Sequence, residues 1–233
     1  MIKSYDHIRV YMPIPHLSVM VKHVFWLRYK LAGLTKRSKT FNRIVGKTMF
    51  EGDDMIVLPR DEAAKTKRIK PDITVDTAGE STVLPSDVVK SLIKGSDNIF
   101  IMNFCLCRRS SGCKDYPVDY GCIFMGKGVH RIPKDFGHIA TPDEALEHID
   151  RCRDAGLIHL VGRNKIDSIW LNTEDKKDLM TICNCCPCCC LWNMVRDISD
   201  ELSASLRRME GVMVSVIEDR CTGCGKCIDD CFT

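Results

Sequence analysis

The chain has 233 residues, 45% hydrophobic and 28% charged, with a formal net charge of +3. This composition excludes wholesale disorder and leaves room for one sizeable core or two modest domains. The charge is uneven: residues 1–70 carry 15 Lys or Arg against 6 Asp or Glu, whereas the remaining 163 residues carry 19 against 25.

At the N-terminus, Pro13, Pro15 and His16 stand where the apolar block of a secretory signal would sit, so a cytoplasmic location is expected. Leu17, Met20, Val21, Val24, Leu27, Leu31 and Leu34 recur at helical spacing and predict a basic amphipathic helix. Lys22, His23, Arg28 and Lys30 interrupt it, so no transmembrane span is expected. Such a helix packs on the core or on a partner subunit, or makes peripheral contact with an anionic membrane. Nucleic acid is not expected, because Phe25, Trp26 and Tyr29 cluster instead of interleaving with the basic residues. Arg60 to Asp76 are charged and aperiodic, which predicts an exposed connector.

After Pro85, Ser86 is the expected cap of a short helix through Lys94, with Gly95 as its stop. Asn98 to Phe104 reads as a buried strand leading to Cys105. Thr141-Pro142-Asp143-Glu144 marks the start of a helix that ends at Gly156 and buries Cys152 on its apolar face. Strands are expected at Ile158 to Val161 and Ser168 to Asn172, with Asp178 to Ile182 leading into further cysteines. A final amphipathic helix is expected over roughly Leu191 to Met209. The fold class is α+β: a cysteine-rich core over 77–210, a basic helical arm and linker over 1–76, and a cluster-binding segment over 211–233.

All 15 cysteines fall between Cys105 and Cys231. Their tight spacings suit thiolates converging on metal better than stapled loops, and an odd count opposes a fully paired disulfide framework. Cys221, Cys224, Cys227 and Cys231 have the C-x2-C-x2-C-x3-C spacing of bacterial ferredoxins and predict a [4Fe-4S] cluster. Gly223 and Gly225 supply the positive φ angles that such a wrap requires. Proline usually follows the last cysteine of that motif, but here Phe232 does.

Cys105, Cys107, Cys113 and Cys122 form a second candidate ligand set, with Arg108 and Arg109 offsetting its negative charge; a zinc-stabilised loop is the competing reading. Cys183, Cys185, Cys186, Cys188, Cys189 and Cys190 are six cysteines in eight residues. Neighbouring side chains cannot all face one centre, so these are expected to divide between two. A helix after them would bring its positive end to Cys188, Cys189 and Cys190 and favour thiolates. His159 and Asn164, between the clusters, are expected to be hydrogen-bonding core residues.

The stretch resembles a family of cytoplasmic 4Fe-4S-binding proteins of anaerobic archaea and bacteria. The likeness runs through Cys105-Leu-Cys107-Arg108, Cys122-Ile-Phe, Pro142-Asp-Glu-Ala-Leu146, Ala155-Gly-Leu-Ile-His159, Ile182-Cys-Asn-Cys-Cys186-Pro-Cys188-Cys-Cys190 and the ferredoxin motif. Members of that family go on to a second ferredoxin motif, whereas this sequence has one. The resemblance implies two or more [4Fe-4S] clusters and single-electron transfer from a low-potential donor to a partner oxidoreductase. No dinucleotide signature is present, since Gly121, Gly126 and Gly128 have the wrong spacing, so a flavin would reside on a redox partner protein. An oligomer or larger complex fits the same reading. Two competing functions are a reductase whose Cys183–Cys190 centre is an atypical catalytic cluster, and a zinc- or cluster-stabilised docking module; no catalytic residue is assigned.

Overall fold

The structure is a computed structural model and describes residues 27–61, 65–66, 84–171, 173, 175–210, 212–213, 215–229 and 231. The chain runs from α1 (residues 27–37) and α2 (Lys39–Val45) through a π-helical turn (Gly46–Phe50) to β1 (Asp54–Leu58) and β2 (Lys65–Thr66). It continues with α3 (Pro85–Lys94), β3 (Ile99–Met102), α4 (Leu106–Ser111), β4 (Ile123–Met125), β5 (Gly137–Ala140), α5 (Pro142–Asp154), β6 (Ile158–Arg163), α6 (Lys165–Trp170) and β7 (Met180–Cys185). The last elements are α7 (Asp200–Ser203), β8 (Leu206–Arg208), β9 (Val212–Met213) and α8 (Lys226–Asp229). The fold is α+β.

Seven strands form one sheet in the order β5-β3-β4-β7-β6-β1-β8, antiparallel throughout except for the parallel pair β1–β8. Side chains alternate across a strand, so each strand contributes to two different cores. On one face, Ile99, Ile101, Ile123, Val161 and Ile182 pack under α3 and α5 through Val89, Ile93, Ala145 and Ile149. On the other, Leu160, Cys183 and Cys185 meet Phe50, Trp192, Val195 and Leu202. Phe100, Phe124 and Phe136 extend that second face towards β5. Cys183 and Cys185 therefore stand on the face away from α3 and α5, whereas Cys152 of α5 packs against Cys186 and Cys189.

Residues 27–58, which charge and the absence of cysteine set apart in a basic arm, contribute β1 to the sheet and α1 to its flank. Ala32 and Thr35 of α1 are buried. Thr35 Oγ1 accepts the Ser199 N–H at 2.9 Å, and Lys36 Nζ reaches the Arg196 carbonyl at 2.8 Å. A helix forms over residues 27–37 as expected, but Leu27, Leu31 and Leu34 of its expected apolar face are exposed, and Ala32 and Thr35 pack instead; Leu17 to Trp26, and most of the expected connector Arg60 to Asp76, lie outside the described residues. The segment expected to begin at residue 211 supplies β9, which pairs with β2 apart from the main sheet.

The best-marked helix forms as its sequence dictates. Glu144 N–H donates to Thr141 Oγ1 at 3.3 Å while Glu144 Oε2 accepts the Thr141 N–H at 2.7 Å, so the first turn caps itself. Gly156, at φ +82°, ends the run. Three expectations need correction. The cap of α3 is Leu84, with Pro85 opening the helix: Asp87 Oδ2 accepts the Leu84 N–H, and Ser86 sits inside the first turn. Of the strand expected over Ser168 to Asn172, the described residues 168–171 are not extended, because Asn164 caps α6 by accepting the Asp167 N–H at 2.8 Å, which turns the chain helical through Trp170; Asn172 lies outside the described residues. The long helix over Leu191 to Met209 is broken into a 3₁₀ segment (Leu191–Arg196), α7 and β8. There Ser199 caps α7 and Met55 N–H bonds the Ser205 carbonyl, drawing the following residues onto β1.

Replacing Thr141 with Ala removes the side-chain acceptor at the start of α5 and should cost about 1 kcal/mol of stability. Urea unfolding should show a lower midpoint with an unchanged slope; an unchanged midpoint would mean that the cap does not support the fold.

Candidate metal centre

β7 builds the centre by its period of two. Cys183 and Cys185 face the cysteine side of the sheet, while Ile182 and Asn184 face α5. The register that sets Ile123 opposite Ile182 brings Cys122 opposite Cys183. Cys105 follows β3 at the start of α4, and Gly112, at φ +63°, closes that helix so that Cys113 N–H bonds the Arg108 carbonyl at 2.9 Å. The chain after β7 then turns back through Cys186 to Cys190 over the same region.

Ten of the predicted ligands fall into two groups, divided differently from the sequence spacing. Cys113, Cys186, Cys188 and Cys189 gather with their sulfurs within 4.8 Å of one another, a set able to hold a metal ion. Cys113 and Cys188 lie 3.7 Å apart, and Cys186 and Cys188 lie 3.6 Å apart. The other six form a string of neighbouring thiols: Cys105 beside Cys107, Cys107 beside Cys190, Cys190 beside Cys185, Cys185 beside Cys183, and Cys183 beside Cys122. Cys185 and Cys190 are 3.1 Å apart. The expected division of Cys183 to Cys190 between two places is present, but the set Cys105, Cys107, Cys113 and Cys122 is not: the turn of α4 and Gly112 carry Cys113 to Cys186, Cys188 and Cys189 instead.

Arg108 is completely buried. Its Nε donates to the Pro117 carbonyl at 2.7 Å and one terminal nitrogen to the Asn184 carbonyl at 2.7 Å, while the other donates to the Tyr120 carbonyl. Among the described residues it pairs with no carboxylate. The titratable side chains that act on it most strongly are those of Cys105, Cys186 and Cys122, from both thiol groups. Arg109, expected to do the same, lies instead over the Phe104 ring at 4.7 Å.

Thiol acidity follows these contacts. Burial raises the Cys152 thiol to about 12, and neighbouring sulfurs and burial together raise Cys105, Cys122 and Cys183. Cys190 goes the other way: burial opposes its ionisation, but bonds from Cys107, Cys185 and the Trp192 N–H outweigh that and bring it down to about 6. A helix dipole is not the cause, since only a 3₁₀ segment follows. Cys152 is buried against Leu157, Cys186 and Cys189 as the expected core thiol, behind the four-sulfur set.

Sequence reasoning missed the polar layer on the reverse of β7. Asn184 donates through Nδ2 to the Gly121 carbonyl at 2.7 Å and accepts from His159 Nδ1 at 2.8 Å; His148 Nε2 donates to the same carbonyl at 2.9 Å. Gly121 is required there, because a Cβ would lie 2.3 Å from the Met102 carbonyl oxygen. His159 is thus a hydrogen-bonding core residue, as expected, and burial depresses it from 6.5 to about 4. Asn164, also buried, holds Asp167. The signal for this layer lay in the alternation Cys183-Asn184-Cys185, which puts a polar group on the face opposite the thiols.

Cys221, Cys224, Cys227 and Cys231 are all exposed and stand apart from both groups. Gly223 and Gly225 have the expected positive φ, at +68° and +74°, and Gly223 N–H approaches Cys221 Sγ at 3.4 Å. The Lys226 N–H and the Thr222 side chain lower the Cys224 thiol.

Arg108→Met should weaken metal retention by about 10–100-fold, while Arg108→Lys, which keeps the charge, should lose less; equal retention in all three proteins under chelator challenge would remove Arg108 from the metal site. Because native His159 binds its proton only near pH 4, the unfolded chain holds more protons between about 6.5 and 4, and stability must fall as pH drops through that window. His159→Gln should make that fall shallower in urea unfolding; identical slopes would assign the proton uptake elsewhere.

No family model, curated protein or solved structure matches this chain.

Proposed function

We propose that this chain is an iron–sulfur electron-transfer protein that passes single electrons between a low-potential donor and a partner oxidoreductase. The observation that carries the reading is the burial of Arg108 between two groups of thiols without a carboxylate partner. An uncompensated guanidinium in that position costs several kcal/mol. Thiolates bound to metal centres of net negative charge compensate it, whereas neutral thiols do not. The upstream cysteines therefore work as metal ligands.

The C-terminal motif supports the second half of the reading. Its spacing is that of a [4Fe-4S] ligand set, and both of its glycines have the backbone geometry that a cluster wrap uses. The exposed Val216, Ile217 and Ile228 flank these cysteines, so a cluster there would lie beside an apolar patch that a redox partner could cover. Upstream, the cluster's chemistry would be electron storage, and the residues of this chain would tune it through burial, local charge and N–H bonds to sulfur. No helix among the described residues is long and apolar enough to cross a membrane.

The reading is tested by iron, acid-labile sulfide and zinc analysis of anaerobically purified protein, with electron paramagnetic resonance before and after dithionite. Reducible cubane signals with matching iron and sulfide are expected, and Cys224→Ser should remove or convert the C-terminal signal only. Stoichiometric zinc without sulfide or a reducible signal would replace electron transfer with a redox-silent docking module. Cys152→Ala should leave metal content unchanged; any loss of metal would make Cys152 a ligand.

A further inference from the structure

The two thiol groups differ in size as well as in membership. A thiolate bonds a tetrahedral ion such as zinc at about 2.3 Å, which puts neighbouring sulfurs of one tetrahedron about 3.8 Å apart. Within the four-sulfur group, the separations of 3.7 Å and 3.6 Å match that edge, and all four atoms lie within 4.8 Å of one another. A four-iron cubane carries each thiolate on a different iron at the outside of the cube, so its thiolates are spread more widely than one tetrahedral edge. The six remaining upstream thiols do not gather so closely: among the described residues only the first group does.

The surroundings of the four-sulfur group suit one ion. Cys186 and Cys189 are buried, Cys113 is half-buried and Cys188 is exposed, so the space between them opens to solvent on one side. Cys113 Sγ accepts the N–H groups of Asp115 and Tyr116, outer contacts that orient a ligating thiolate. Cys152 packs against Cys186 and Cys189 from the side of α5 but is not among the four sulfurs that gather.

We propose that Cys113, Cys186, Cys188 and Cys189 hold a single thiophilic divalent ion, zinc or iron, in a closed tetrathiolate site distinct in kind from the iron–sulfur centres. The inference rests on the metal-ligand reading of the upstream cysteines and not on electron transfer. Four protein ligands leave no open coordination position, so the site is structural: it ties the loop after α4 to the turn after β7 and thereby fixes both ends of the Arg108 enclosure.

The test is metal and sulfide analysis of Cys188→Ala, whose side chain lies at the exposed edge, alongside Cys113→Ser on the opposite wall should the first variant not fold. One metal ion per chain should be lost, with acid-labile sulfide and the remaining iron unchanged. In the parent protein, X-ray absorption at zinc, or at iron if zinc is absent, should contain a component with four sulfur neighbours and no nearby metal. Loss of about four irons together with sulfide, or no loss of metal, would overturn the single-ion site. A parent protein lacking sulfide altogether would end the electron-transfer reading yet leave the count of one ion lost per variant chain intact.

Discussion

A guanidinium held at zero exposure constrains the centre of this molecule. Arg108 spends its hydrogen bonds on the carbonyls of Pro117, Tyr120 and Asn184, which fixes the loop before β4 and the middle of the Cys183-Asn184-Cys185 run relative to α4. Those carbonyls satisfy its donors but carry no net charge. Under the proposed function the charge is balanced by metal-bound thiolates, with Cys105 and Cys122 in one group and Cys186 in the other. Arginine suits this place better than lysine, since its planar fork can reach three acceptors at once and remains charged when buried.

The sheet supplies the second constraint. With a period of two, β7 sends Cys183 and Cys185 to one face and Asn184 to the other, so one short strand serves a sulfur layer and a polar layer. The polar layer keeps His148 and His159 uncharged, as burial lowers both. Neither histidine therefore adds positive charge beside β7 at neutral pH. Asn184 joins the layers: its side chain bonds the histidine side, and its carbonyl bonds Arg108.

Local signals in the sequence were legible wherever a single segment decided its own structure. The α5 start, with Thr141, Pro142 and Glu144, and the buried strand Ile99 to Met102 formed as read, and Gly223 and Gly225 took the positive φ angles that their spacing demanded. Readings failed where partners distant in sequence decided the outcome. The apolar periodicity of residues 191–209 suggested one helix, but β1 captured Leu206–Arg208 as a parallel edge strand. Ser168 to Leu171 failed for a local reason instead: Asn164, a few residues before it, caps a helix that runs through Trp170. Division of the cysteines was the least legible feature: spacing along the chain groups Cys113 with Cys105 and Cys107, whereas one turn of α4 followed by the left-handed Gly112 carries it to Cys186, Cys188 and Cys189.

The upstream and C-terminal cysteines meet opposite requirements, and the fold separates them accordingly. Eight of the ten upstream candidate ligands are buried or lie in the string of neighbouring thiols, with Cys113 half-buried and Cys188 exposed at the rim. Burial in low dielectric strengthens the attraction between Arg108 and thiolates and raises the cost of a change in their total charge, so the enclosure tunes the potential at which a centre there would take up an electron. The C-terminal cysteines are exposed, where solvent screens a change of charge and a partner can approach within electron-transfer range. Under the proposed function, exchange with a partner belongs at the C-terminal motif, and the Arg108 enclosure tunes the potential of the interior centres that store the electron.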